Sequence, residues 1–281
     1  MRRGRSGTWV AALAGACAGI ALHAQAADPA HGDVRPPASV QAQVEHLLPQ
    51  RPGLVDLYVV LVGADSDDGV YAKEIATVAR ALDERLGAAG RVVTLVNQRA
   101  AAAPEVTLNA LAYVVRRIAR RMDPAEDVLL LHIAATGAPN RVLQLGHPQR
   151  KLAGLAPKYL QSLLAKTRIR YRVVSVSACY SGGFAAALAG PDTLVVTSAS
   201  ANSATGCGND GEITNFSRAM YVAALKQTRW LPGAARLAIQ IVQERESNMQ
   251  RERSYPQLQA GVGIEERLHL VVRQLTESAR R

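Results

Sequence analysis

The sequence predicts an α/β fold: a mainly parallel sheet flanked by helices on both faces. Two observations lead there. Apolar, β-branched runs of strand length alternate with segments whose apolar residues recur at helical spacing, the pattern of successive βαβ units. The apolar material is chiefly alanine and valine: 48% of the 281 residues are hydrophobic but only 4% are aromatic. That is enough for one core, and it argues against the stacked-ring platforms that bind single-stranded nucleic acid.

Residues 27–52 are polar and carry Pro29, Pro36, Pro37 and Pro49, which predicts an extended segment without core residues. The main domain is expected over 53–275. Its first strand is the run Leu54 to Val62, which empties into the turn-rich Gly63-Ala64-Asp65-Ser66-Asp67-Asp68-Gly69. Ile75, Val78, Ala79, Leu82 and Leu86 then mark a helix stopped by Gly87 and Gly90, before a strand over Val92 to Val96. Thr107 is placed to cap a helix carrying Leu108, Leu111, Val115, Ile118 and Met122, and Asp127 to Ile133 is the third strand. A hairpin is expected around Gly146-His147-Pro148, then a helix led by Pro157, a strand over Tyr171 to Ser177 and a fifth over Leu194 to Thr197. Helices follow over 215–227 and 234–249. Ligands bind outside the carboxyl ends of such strands, so the loops leaving at Gly63, Gly137 and Cys179 are where chemistry is sought.

The formal charge is +10, with Arg2, Arg3 and Arg5 ahead of an apolar run from Trp9 to Leu22 and a small-x-small site at Ala24-Gln25-Ala26. This is the layout of a signal peptide over 1–26. Its removal takes three of the 33 basic residues and no acid, leaving 30 − 23 = +7. The expected address is exported and periplasmic, with no membrane span after cleavage. Cys17 departs from the lipoprotein pattern, so no lipid anchor is expected. Arg116, Arg117, Arg120 and Arg121 fall opposite an apolar stripe and read as a solvated face, not a nucleic-acid surface. Cys179 and Cys207 remain after cleavage; in an oxidising compartment they are free to pair or to stay as thiols.

Three familiar chemistries are missing: no Gly-x-Ser-x-Gly elbow, no phosphate-binding Gly-x-x-x-x-Gly-Lys loop and no His-Glu-x-x-His motif occur. Asp65, Asp67 and Asp68 lack the spacing and the bidentate Glu of a calcium loop, so they read as solvated acids. No metal or cofactor is expected. Cys179 stands where a buried strand ends, beside Gly182 and Gly183, so its thiol is placed to face an open crevice.

The segment Val173-Val174-Ser175-Val176-Ser177-Ala178-Cys179-Tyr180-Ser181-Gly182-Gly183-Phe184 resembles the catalytic-cysteine segment of the legumain-type cysteine peptidases, in particular their bacterial exported branch. The similarity continues in order through Asp123-Pro124-Ala125-Glu126-Asp127-Val128, Thr197-Ser198-Ala199 with Asn202, and Ser254-Tyr255-Pro256-Gln257. It implies a caspase-like fold and cleavage of peptide or protein substrates after Asn or Asp by a Cys-His dyad. Cys179 would be the nucleophile, and the amides of Gly137 and Cys179 the oxyanion donors. Ser198, Ser200, Asn202 and Ser203 would line the substrate pocket. Cys207 matches a cysteine found in bacterial relatives, as a structural thiol or bridge partner.

The family places its dyad histidine in a Thr-Ser-His-Gly pattern, where this chain reads Ala134-Ala135-Thr136-Gly137. Thr136 therefore stands at the histidine position. A hydroxyl does not take up a proton near neutral pH as imidazole does, and a missing general base costs about 10²–10⁴-fold. His132 is four residues back along the strand, about 13 Å from its exit. His147 reads as a surface residue, and His31, His46 and His269 have no motif around them. The resemblance thus implies a peptidase whose hydrolysis is impaired or lost, a pseudoenzyme. The alternative is a non-catalytic periplasmic protein that binds peptides or regulates on the same scaffold.

Overall fold

The computed structural model describes residues 36–64, 69–97, 104–146, 152–209 and 211–280, all in one unit that begins at Val34. The signal segment, the acidic run 65–68 and His147 lie outside the described residues.

Six strands form the sheet: β1 (Leu57–Gly63), β2 (Val92–Val96), β3 (Val128–Ala134), β6 (Tyr171–Ser177), β7 (Thr193–Thr197) and β8 (Gln257–Ala260). They run in the order β2-β1-β3-β6-β7-β8. Every pairing is parallel except β7 with β8. β1 and β3 are buried along their whole length, which is why they read as unbroken apolar runs.

Alternation along the strands divides the core in two. Tyr58, Val60, Leu129, Leu131 and Val174 face α1 (Ala38–Glu45), α3 (Leu108–Ala119), α4 (Pro157–Ala165) and α5 (Gly182–Leu188). Val59, Leu61, Leu130, Val173 and Leu194 face α2 (Val70–Leu86), α8 (Leu231–Asn248) and α9 (Val262–Ser278). Two short α-turns, α6 (Asn215–Ser217) and α7 (Leu225–Gln227), flank a π-helical stretch over Arg218–Ala224 on that second face. As the sequence suggests, Thr107 caps α3, accepting from the Ala110 amide at 3.0 Å, and α2 ends at Gly87 with φ 63°.

The structure corrects the sequence reading in three places. The N-terminal segment is not extended throughout: α1 buries Val40 and Val44, with Leu47 beyond it, in the first core. These residues stand four and three apart, one helical stripe that the surrounding prolines obscure. A hairpin the sequence reading lacks joins β4 (Thr136–Gly137) to β5 (Leu143–Gln144), turning over 138–142; around the expected one Leu143 pairs antiparallel with Leu155, and His147-Pro148 lie outside the described residues. β8 and α9 were not foreseen. β8, half-buried to exposed and rich in glutamine, lacks the apolar signature of an inner strand.

Polar groups close the periphery. The Gln43 amide accepts from Thr94 N at 2.8 Å and donates to Thr94 O at 3.0 Å, satisfying the outer edge of β2 as a neighbouring strand would. Arg121, expected as a solvated cation, donates to the Leu47 and Glu45 carbonyls beyond and at the end of α1. At the opposite end of the sheet from the strand exits, the buried Asp127 carboxylate accepts from Asp56 N and Asp123 N, both at 2.8 Å.

Two tests follow from this packing. Val40→Ala should cost about 2 kcal/mol in urea unfolding, two methyl groups plus the void they leave; an unchanged midpoint would mean that α1 does not belong to the core. Burial raises the Asp127 pKa from 3.8 to about 6. The folded protein then holds a proton that the unfolded chain has released, so this group makes stability fall as pH rises from about 4 to about 6 and level off above. Urea midpoints across that range should show the slope, and Asp127→Asn should remove it.

Candidate active site

The register of β3 with β6 builds the site. His132 pairs with Ser175 and Ala134 with Ser177, so the two strands leave the sheet side by side. The ladder continues through Ala135 N to Ser177 O at 3.1 Å. One step on, Gly137 packs flat against the backbone of Cys179, and a Cβ there would run into the Cys179 carbonyl. A second glycine, Gly182, is also held too close to the Ser200–Ala201 backbone for a Cβ to fit. These contacts, not turn geometry, account for both glycines. Tyr180, directly after Cys179, adopts a left-handed φ of 55°, a costly conformation for a tyrosine. Its amide donates to Ser203 O at 2.9 Å.

Cys179 does not present a thiol to an open crevice. It is 5% exposed and is joined by a disulfide to Cys207, their Cα atoms 5.0 Å apart, within the reach of a cystine. The chain after β7 makes this possible by folding back over the β6 exit. Ser198 Oγ brackets Ala178, accepting from its amide at 2.8 Å and donating to its carbonyl at 3.0 Å. Ser203 O holds Tyr180 as described.

Thr136 lies in β4, half-buried, its Oγ1 3.4 Å from Tyr71 Oη. The described imidazoles are all engaged elsewhere. His132 is fully buried against Glu74, His46 Nδ1 lies 2.7 Å from Ala42 O, and His269 stacks on Trp230.

The structure brings the expected pocket residues to the same end of the sheet, but it engages their three hydroxyls within the fold, Ser200 Oγ accepting from Asn202 N at 3.4 Å. Ser198 is tied to Ala178, and Ser203 Oγ donates to Arg253 O at 3.2 Å and lies 2.8 Å from Thr205 Oγ1. Ser200 is half-buried, its amide bonded to Ser254 O at 2.9 Å, and Asn202 is exposed. Beside them opens a cavity of about 400 Å³ whose lining includes Ser198, Cys207, Asn215, Glu246 and Arg251. Among the described residues no group of three or more His, Cys, Asp or Glu side chains is placed to hold a metal. Nor is any described helix long and apolar enough to cross a membrane.

Beneath the site, on the second face of the sheet, lies a buried polar cluster that the sequence reading missed. Glu74 Oε1 accepts from His132 Nε2 at 3.1 Å and from Ser217 Oγ at 2.6 Å, while its Oε2 accepts from Thr214 N at 2.9 Å. His132 Nδ1 lies 3.1 Å from both Ser175 Oγ and Tyr221 Oη. Thr214 Oγ1 lies 2.7 Å from Ser177 Oγ, which carries the cluster to within two residues of Cys179. Burial opposes ionisation of Glu74, but the hydrogen bond and charge of His132, with Ser217 and Thr214, outweigh it and hold the carboxyl below its usual range. The same burial pushes the Tyr221 phenol up. The signal was present in the sequence: Glu74 falls on the apolar stripe of α2, between Tyr71 and Ile75 and Val78.

Glu74→Ala should therefore cost about 3–5 kcal/mol, because it strands a buried imidazole and two further donors. Glu74→Gln, which keeps an acceptor oxygen, should cost less. Equal losses in urea titrations of the two variants would show that the carboxylate charge, not the acceptor, is what the cluster needs.

The architecture is that of the caspase-like fold. Caspase-1 from Spodoptera frugiperda superposes with a TM-score of 0.52 at 12% identity, covering 76% of this chain and 92% of that one; at that identity the likeness is one of fold. In sequence, the Peptidase C13 family matches residues 116–251, just under half of the chain, a stretch that includes both Cys179 and Cys207. No curated protein matches the sequence.

Proposed function

We propose that this chain is a legumain-type cysteine-peptidase scaffold on which peptide-bond hydrolysis after Asn or Asp is impaired or lost. Cys179 stands in the nucleophile's place and Thr136 in that of the dyad histidine. The observation that carries the reading is the Cys179–Cys207 disulfide: a sulfur committed to a bridge has no lone thiolate to attack a carbonyl.

Reduction alone does not supply the rest of the mechanism. An unassisted thiol is only a few per cent thiolate at pH 7, and the amine leaving a cleaved amide needs a proton that Thr136 does not offer. The close packing of Gly137 on Cys179 supports their amides as the donors that would bind a substrate carbonyl. Carbonyl binding thus outlasts proton transfer in this site. Export, expected from the leader over 1–26, favours the bridged form.

The second reading is a non-catalytic protein that binds peptides or regulates on the same scaffold. It is favoured by the same bridge and by the engagement of Ser198 and Ser203 within the fold.

Asn- and Asp-containing fluorogenic peptides distinguish the two. The oxidised chain should give no turnover. The reduced chain should run at least about 10²-fold below reduced Thr136→His, the contribution of a positioned base, and Cys179→Ala should be silent. Cleavage by the oxidised protein, or cleavage that survives Cys179→Ala, would overturn the assignment. A reduced Thr136→His that remains inactive while still binding peptide would favour the second reading.

A further inference from the structure

The chain that returns over the β6 exit is fastened at its two ends and thinly held between them. At one end Ser203 is tied to Tyr180, and at the other Ile213 is buried and Thr214 is bonded to Ser177 and Glu74. Between these anchors no described residue from Ala204 to Glu212 is buried; Ala204, Gly208, Asn209, Gly211 and Glu212 are exposed. Asn215 N bonds to Gly208 O at 2.8 Å, and Lys73 reaches Glu212 at 3.1 Å on the surface. Lys73 also reaches Gly211 O at 3.3 Å, Thr205 bonds to Ser203 and Gly206 packs against the Ser198 carbonyl, while the disulfide at Cys207 ties the strap covalently to Cys179. A segment with so little buried apolar contact has low local stability once a crosslink is opened.

The two sulfurs of the bridge are unequal. Cys179 is buried under the strap, whereas Cys207 is half-buried and lines the cavity of about 400 Å³. Gly206 and Gly208 flank it with no side-chain bulk. Thiol–disulfide exchange needs an approach to one sulfur, and access decides which is attacked.

We propose that Cys207 is a site of attack by an external dithiol, and that exchange there releases both the Cys179 thiol and the 204–209 strap. One thiolate of the dithiol attacks Cys207 Sγ; the bridge breaks, and Cys179 leaves with the electron pair and takes a proton. The second thiol of the reductant then attacks its own sulfur in the mixed disulfide. Cys207 leaves as a thiol and the reductant as its cyclic disulfide. Two electrons and two protons pass from the dithiol to the cystine. A monothiol cannot finish this sequence efficiently: Cys179 stays beside the mixed disulfide, with Cα atoms 5.0 Å apart in the bridged form, and recloses the bridge. The partner is thus of the dithiol class. The inference stands whichever reading of peptide hydrolysis holds, because its readouts are thiol chemistry and backbone opening.

The test uses the full chain purified without reductant. A short exposure to glutathione, quenched in acid and mapped by peptide mass spectrometry, should place the adduct on Cys207 and a free thiol on Cys179; an adduct on Cys179 would overturn the proposal. Dithiothreitol should open the bridge at far lower concentration than glutathione. In the reduced chain, amides of 204–209 should exchange hydrogen at least about tenfold faster than in the oxidised chain, while the β3 and β6 amides are unchanged. Cys207→Ser should show the same local loosening without reductant. A bridge that opens only on global unfolding, or a strap whose exchange is the same in both redox states, would sink the idea.

Discussion

The pairing of β3 with β6 is the constraint on which the site depends. Parallel strands carry their carboxyl ends to one side of a sheet, and this register delivers Thr136, Gly137 and Cys179 there together. The approach of Gly137 to the Cys179 carbonyl tolerates no side chain, so the relative position of the two loops is fixed by backbone contact. Side chains can then change at the exit without moving the frame, and a threonine occupies one of its corners.

The second face of the sheet shows how the frame is held from below. In most such sheets the inner positions of β3 and β6 would be aliphatic, but His132, Ser175 and Ser177 replace them. The exchange is tolerable because Glu74, Thr214, Ser217 and Tyr221 supply a partner for each polar group. The cluster links α2, both central strands and the π-helical stretch, and one end of it holds the strap that covers Cys179. Core and site are in this sense one polar construction, with the disulfide on top and the Glu74–His132 pair at its base.

Much of the fold was legible in the sequence because both-face burial leaves a plain signature: β2 and β6 fall where the apolar runs place them, and Thr107 caps the helix its position suggests. What escaped was carried by weak patterns. Val40 and Val44 of α1, with Leu47 beyond it, sit among prolines, and an edge strand made of Gln257-Leu258-Gln259-Ala260 has no inner-strand character. At the site, the motif around Cys179 was readable because glycines and small residues are demanded by close packing. Whether the sulfur pairs with Cys207 stayed open, since that depends on where the chain of 27 intervening residues returns. The roles of Ser198 and Ser203 were hidden for a related reason: a serine in a polar loop reads the same whether it faces a ligand or the backbone beneath it.

The side-chain amide of Gln43 also bears on how this sheet meets other chains. By occupying both the donor and the acceptor of Thr94, it leaves the β2 border with nothing to offer an incoming extended segment at that point. The opposite border, β8, carries no comparable plug among the described contacts. Lateral growth of the sheet is therefore discouraged beside the N-terminal helix.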